Sequence, residues 1–166
     1  MHSVASKVID KNLDQIENNI SENSNDPFDK IKKLKLKNPR KITIGHLNIN
    51  SIRNKFIAIK EAINNNLDII IFSETKLGET FTNSQFLIPG YKPPYRLDVS
   101  ETSGGILVFI REDIPSRPLN KYKIPTDIQL IPIEINLKKQ KWILLPFYRP
   151  PPIEDKEQMK NTFWKP

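Results

Sequence analysis

The stretch LDIIIFSETKL (67–77) constrains this chain more than any other. Ile69, Ile70, Ile71 and Phe72 run without a polar interruption. A short β-branched run that does not alternate reads as a strand buried on both faces. Ser73, Glu74, Thr75 and Lys76 then mark its end at once. In α/β folds, ligands bind outside the carboxyl ends of strands. A single carboxylate at such an end is where a hard cation such as Mg²⁺ would sit.

The neighbouring segments supply the partners such a strand needs. ITIGHLNI (42–49) alternates loosely and reads as a strand, with Asn48, Asn50 and Ser51 at its exit. In NKFIAIKEAINNN (54–66), Phe56, Ile59, Ala62 and Ile63 share one helical face, and Asn64–Asn66 end the helix. Strand, helix, strand over about 30 residues is a βαβ unit. Residues 78–104 read mostly as loop, and PGYKPPY (89–95) is too rich in proline for regular structure. Gly104 and Gly105, read as backbone geometry, open the strand ILVFIRED. SRPLNKYKIP (116–125) reads as another loop. IQLIPIEINL (128–137) and WILLPFY (142–148) read as two strands of an antiparallel hairpin turning at KKQK (138–141), with Pro132 marking an edge or bulge. IEDKEQMKNTFWKP (153–166) reads as the start of a helix.

Residues 1–40 read as an extension to a domain over 41–166. Val4, Val8, Ile9, Leu13, Ile16 and Ile20 are at helical spacing, and SENSNDP (21–27) is a breaker-rich linker. Charge is uneven along this extension. Lys30, Lys32, Lys33, Lys35, Lys37, Arg40 and Lys41 stand against Asp29 alone, in a chain of net charge +7. A basic cluster suits a phosphate backbone, and equally suits a solvated basic linker. The chain has no cysteine, which excludes disulfides, zinc–thiolate sites and thiol catalysis. Its histidines, His2 and His46, are too far apart for a histidine-rich metal cluster. No apolar run approaches the roughly 20 residues that span a bilayer, and the N-terminus lacks the apolar core of a secretory signal. The expectation is an intracellular protein, nuclear or cytoplasmic, with no membrane partner.

Four motifs now stand in order: LNINSIRNK (47–55), SETKL (73–77), SGGILVFIRED (103–113) and FYRPP (147–151). Together they resemble the endonuclease/exonuclease/phosphatase family, most of all the endonuclease domains of non-LTR (LINE-type) retrotransposons. FLIPGY (86–91) and REDIPSR (111–117) add to that likeness, which covers roughly residues 41–160. It implies an α/β (α+β) chain forming the N-terminal half of a four-layer α/β/β/α sandwich, DNase I-like. It implies DNA as partner and Mg²⁺ (or Mn²⁺) as cofactor. By resemblance, Glu74 is the metal ligand and Asn50 a second one, at a position where abasic-site enzymes often have aspartate. Asn48 lies near the metal and scissile phosphate, and Tyr148 contacts the phosphate. Lys76 and Arg149 flank these positions as candidate phosphate contacts. His46 does not match the family's catalytic histidine, which comes near the end of the domain, and reads as structural.

The same resemblance shows what the 166 residues lack. The family's Gly-Asp-x-Asn motif does not follow Tyr148, and no histidine follows His46 to form the family's Asp-His pair. The expectation is a truncated, catalytically incomplete endonuclease fragment, with one face of a sheet left uncovered and open to aggregation or association. Two other readings stay open: a non-catalytic remnant, or a nucleic-acid-binding module using the basic stretch 28–41.

Overall fold

The computed structural model describes residues 27–63, 66–120, 124 and 127–150. The helices expected over 4–20 and 153–166 lie outside the described residues. The rest is a mixed α+β arrangement, and β2 (Ile69–Ser73) is at its centre. β1 (Ile44–Asn48) pairs with β2 in parallel, Asn48 beside Ser73, and α2 (Phe56–Ile63) makes the crossover between them. β4 (Ile106–Ile110) pairs with the other side of β2, antiparallel. β3 (Tyr95–Leu97) pairs antiparallel with β4 and completes a four-stranded sheet in the order β1-β2-β4-β3.

Both central strands, β2 and β4, are buried at every position. That burial explains their unbroken apolar runs, because each face has its own layer. On one face, Ile70, Phe72, Leu107 and Phe109 pack against Phe56 and Ile63 of α2 and against Phe86, Ile88 and Tyr91 from the long connection after β2. Aromatic rings carry this layer: Phe56 meets Phe86 edge-on at 5.2 Å and stacks on Phe109 at 6.2 Å. On the other face, Ile69, Ile71, Ile106, Val108 and Ile110 pack against Ile133 and Ile135 of a second set of strands.

Two prolines shape that second set. The segment read as one strand over 128–137 is β6 (Gln129–Leu130) and β7 (Ile133–Leu137), broken at Pro132. The segment read as its partner is β8 (Gln140–Leu144) and β9 (Phe147–Tyr148), broken at Pro146. Neither proline has an N–H for the ladder. The carbonyl of Pro146 accepts from Ile131 N at 3.1 Å, and that of Pro132 accepts from Leu119 N at 2.8 Å. The hairpin β7–β8 turns at Lys138 and Lys139, both in the left-handed region, so β8 starts two residues earlier than the polar run suggests. β5 (Ser116–Pro118), in a segment read as loop, pairs antiparallel with β7, and β6 pairs with β9.

The basic stretch read as linker is, over 27–37, a helix: α1 (Pro27–Lys37). Its alternation of lysine with Ile31, Leu34 and Leu36 is compatible with either structure. Good helix formers, Pro27 at the first position, Asp29 in the first turn and Lys35 and Lys37 in the last favour the helix. Asn38 closes it by donating to the Leu34 carbonyl at 3.0 Å, and Pro39 stops it. Ile31 packs on the aromatic layer. Among the described residues, no helix is long and apolar enough to cross a membrane.

What seats α1 is Asp68, fully buried at the entry to β2. Its Oδ2 accepts from Lys35 Nζ at 2.5 Å, Thr43 N at 2.7 Å and Thr43 Oγ1 at 2.8 Å. Arg111 Nη1 lies 2.7 Å from Oδ1, though no well-aligned hydrogen bond reaches that oxygen. Burial raises the carboxyl pKa, but Lys35 and the two Thr43 donors outweigh it and hold it below its ordinary value of 3.8. A depressed carboxyl pKa stabilises the fold above the unfolded value. That stabilisation is lost as pH falls through the folded value. Asp68→Ala is expected to cost about 3 kcal/mol, measured as a urea-midpoint shift near neutral pH that shrinks below about pH 4. A shift independent of pH would contradict this account.

Candidate active site

β1 and β2 end side by side, and their exits are laced together. Ile49 N donates to Ser73 O at 2.9 Å, Ser51 N to Glu74 O at 2.8 Å and Ile52 N to Thr75 O at 3.1 Å. From the far side, Thr75 N donates to Gly105 O at 3.3 Å and Lys76 N to Gly104 O at 2.9 Å. To serve both neighbours the backbone zigzags. Asn50, Ser51, Glu74 and Lys76 all take positive φ, at 44°, 75°, 54° and 53°. Non-glycine residues adopt that region at a cost of order 1–3 kcal/mol each, and such outliers gather at functional sites.

The zigzag turns Thr75 wholly inward, where its hydroxyl has no hydrogen-bond partner. It turns Glu74 and Lys76 outward. Glu74 Oε1 accepts from Tyr148 Oη at 2.5 Å and from Asn48 Nδ2 at 3.1 Å. Three positions far apart in the chain, from β1, the β2 exit and β9, thus converge on one carboxylate oxygen. Asn48 is held by its own loop: its Oδ1 accepts from Asn50 N at 3.2 Å. Asn50 Oδ1 accepts from the Lys76 ammonium. Arg149 pairs at 3.7 Å with Asp127, both side chains largely in solvent.

Beside Glu74 a cleft of about 570 Å³ runs between the two sets of strands. Asn48, Tyr148 and Arg149 line it, and so does His46, whose Nε2 lies 3.3 Å from Ser73 Oγ. His46 lies one residue before the LNINSIRNK motif, and Ser73 opens SETKL, where the resemblance assigns it no role. The available signal is strand alternation, which puts His46 on the same face as Asn48; Ser73 is Asn48's register partner.

Among the described residues, no group of three or more His, Cys, Asp or Glu could hold a metal ion. The donors present are hard oxygens, one carboxylate and two amides. That chemistry fits a cation that keeps most of its waters, as Mg²⁺ does. Glu74 is the anchor such an ion would use. Asn50, expected as second ligand, has its amide oxygen engaged by Lys76, and an ammonium there opposes a nearby divalent cation. No protein-family model matches the chain, and none of the curated proteins matches it.

Tyr148 has its pKa pushed up to about 12 by burial, by its hydrogen bond to Glu74 and by Glu74's charge. It therefore remains a proton donor at any physiological pH. The sign follows: the phenol contributes stability in full below pH 10 and loses it as pH rises through about 12. Tyr91 is also raised to about 12, first by burial, with its hydroxyl donating to the Leu67 carbonyl. Phenolate absorbance should accordingly show late-titrating tyrosines, and Glu74→Gln should move one of them toward 10 while leaving Tyr91 in place. An unmoved titration in that variant would rule out the Tyr148–Glu74 contact.

Gly105, at φ +92°, passes close enough to Thr75 that a Cβ would collide with its hydroxyl. Gly105→Ala should destabilise the chain by about 2–3 kcal/mol. Combined with Thr75→Ala, it should cost less than the two single changes added together. Additivity in that double-mutant cycle would mean that the contact is not what excludes a side chain.

Proposed function

We propose that residues 41–166 are the N-terminal half of a phosphodiesterase domain of the DNase I-like, endonuclease/exonuclease/phosphatase kind, descended from a retrotransposon endonuclease. In that reading Glu74, Asn48 and Tyr148 form the metal- and phosphate-binding half of its site. The observation that carries it is the convergence of Tyr148 Oη and Asn48 Nδ2 on Glu74 Oε1 at the exit of adjacent parallel strands.

In this reading a Mg²⁺ at Glu74 would supply charge neutralisation on the phosphoryl oxygens. Tyr148 is kept protonated, and its one O–H, which rests on Glu74 Oε1, is the donor that would turn to the oxygen on which negative charge develops. Asn48 orients the carboxylate. Arg149, which lines the cleft, and Lys76, bound to Asn50, bind and position the DNA backbone. The chain's 166 residues contain no Gly-Asp-x-Asn and no later histidine to activate water and protonate the leaving group. Groups of that kind typically contribute 10²–10⁴-fold each, and cooperating ones lose more than their separate shares. The second half of the sandwich would cover Ile44, Leu47, Ile143, Leu145 and Phe147, large apolar side chains exposed on or beside the edge strands β1, β8 and β9.

The expected outcome is weak Mn²⁺ binding by the full chain, read by electron paramagnetic resonance and removed by Glu74→Ala. Nicking of supercoiled DNA with Mg²⁺ should not rise above background. Mn²⁺ binding that survives Glu74→Ala would overturn the metal assignment. Real turnover abolished by Glu74→Ala would overturn the incompleteness.

A further inference from the structure

A second groove, of about 440 Å³, lies at the opposite end of β1 from Glu74. Ile42 lines it just before β1 begins, whereas Asn48 ends the strand. At about 3.3 Å per residue the two are roughly 20 Å apart. The floor is apolar: Ile42, Ile114, Leu137 and the indole of Trp142, which is 54% exposed. The rim is basic, with Arg40 and Lys41 on one side and Lys138, at the tip of the β7–β8 hairpin, on the other. None of the three makes a side-chain hydrogen bond or ion pair with a described residue. The one acid in the wall, Asp113, is held by Arg111 through contacts of 2.5 and 2.7 Å and adds no net negative charge. The last turn of α1 lies beside this rim, because Lys35 Nζ reaches both the Lys41 carbonyl and Asp68.

From this we infer that the groove is a binding site for single-stranded nucleic acid, with one base stacked on Trp142 and its flanking phosphates on Arg40, Lys41 and Lys138. The pattern is the one such strands require: an aromatic side chain that can stack on any base, in a groove also lined by cations. Charge selects a polyanion, and the exposed indole between the cations selects one that carries planar bases. A paired duplex keeps its bases stacked on each other and offers none to Trp142. The site does not depend on the Glu74 cluster and stands or falls without it.

Trp142 itself provides the readout. The chain has two tryptophans, so Trp164→Phe leaves Trp142 as the sole tryptophan, excited selectively over the tyrosines at the red edge of the indole band. Titrating that full-length variant with a short oligothymidylate should quench its emission saturably, with affinity falling steeply as salt rises. Trp142→Leu, followed by fluorescence anisotropy of a labelled oligonucleotide, should weaken binding about tenfold while leaving the urea midpoint unchanged. Arg40→Ala with Lys41→Ala should weaken it comparably and flatten the salt dependence. An oligothymidylate that leaves the emission unchanged would refute the site. So would unaltered affinity in Trp142→Leu, or equal quenching by polyphosphate or by duplex of the same length.

Discussion

The fold depends on one buried carboxylate. Asp68 is taken wholly out of water at the start of the central strand, and an unpaired charge there would be untenable. It is tolerable because α1 brings Lys35, the β1 entry brings both donors of Thr43, and the β4 exit brings Arg111. The same four elements are thereby fixed in place. Backbone bonds run through the knot as well: Asp68 N donates to Thr43 O, and Arg111 N donates to Asp68 O. A buried ion pair is weak evidence for net stability, since desolvation offsets much of its attraction. Its clearer effect here is positional, because one arrangement of helix and strands satisfies it.

From that end of the sheet, order is carried to the other by two strands that are apolar at every position except Ser73, at the exit of β2. β2 and β4 are buried on both faces, one against aromatic rings and one against isoleucines. Rigid strands can hold a strained exit, and the positive φ values of Asn50, Ser51, Glu74 and Lys76 fall where β1 and β2 stop. The strain has a use. Turning Thr75 in toward Gly105 turns Glu74 out, toward the tyrosine and the asparagine. A relaxed strand continuation would alternate differently and send the carboxylate elsewhere.

Prolines divide the remaining strands in a way that serves the site. Pro132 and Pro146 interrupt facing segments, so the pair that begins as β7–β8 gives way to β6–β9. Tyr148 sits in that short second ladder, opposite Gln129, whose side chain accepts from Gly105 N at 2.8 Å. The tyrosine is thus referenced to the same glycine that shapes the Glu74 turn. Such a link spans distant parts of the chain and leaves no mark in local periodicity.

Local chemistry alone determined a good deal of this protein. The unbroken run Ile69–Phe72 required a layer on each face, and both layers exist. The spacing of Phe56, Ile59 and Ile63 required a helix between two strands, and those strands pair in parallel. Glu74, Asn48 and Tyr148 stand out in the sequence through the resemblance their motifs carry, and the fold brings the three side chains into contact. Other features were decided by tertiary structure, because they rest on contacts between residues distant in sequence. A stretch of alternating lysines became a helix once Asp68 and the aromatic layer received Lys35 and Ile31. Ser116–Pro118 became a strand because β7 offered it an edge. His46 entered the cleft, and Asn50 gave its oxygen to Lys76, only when two strand exits were brought side by side.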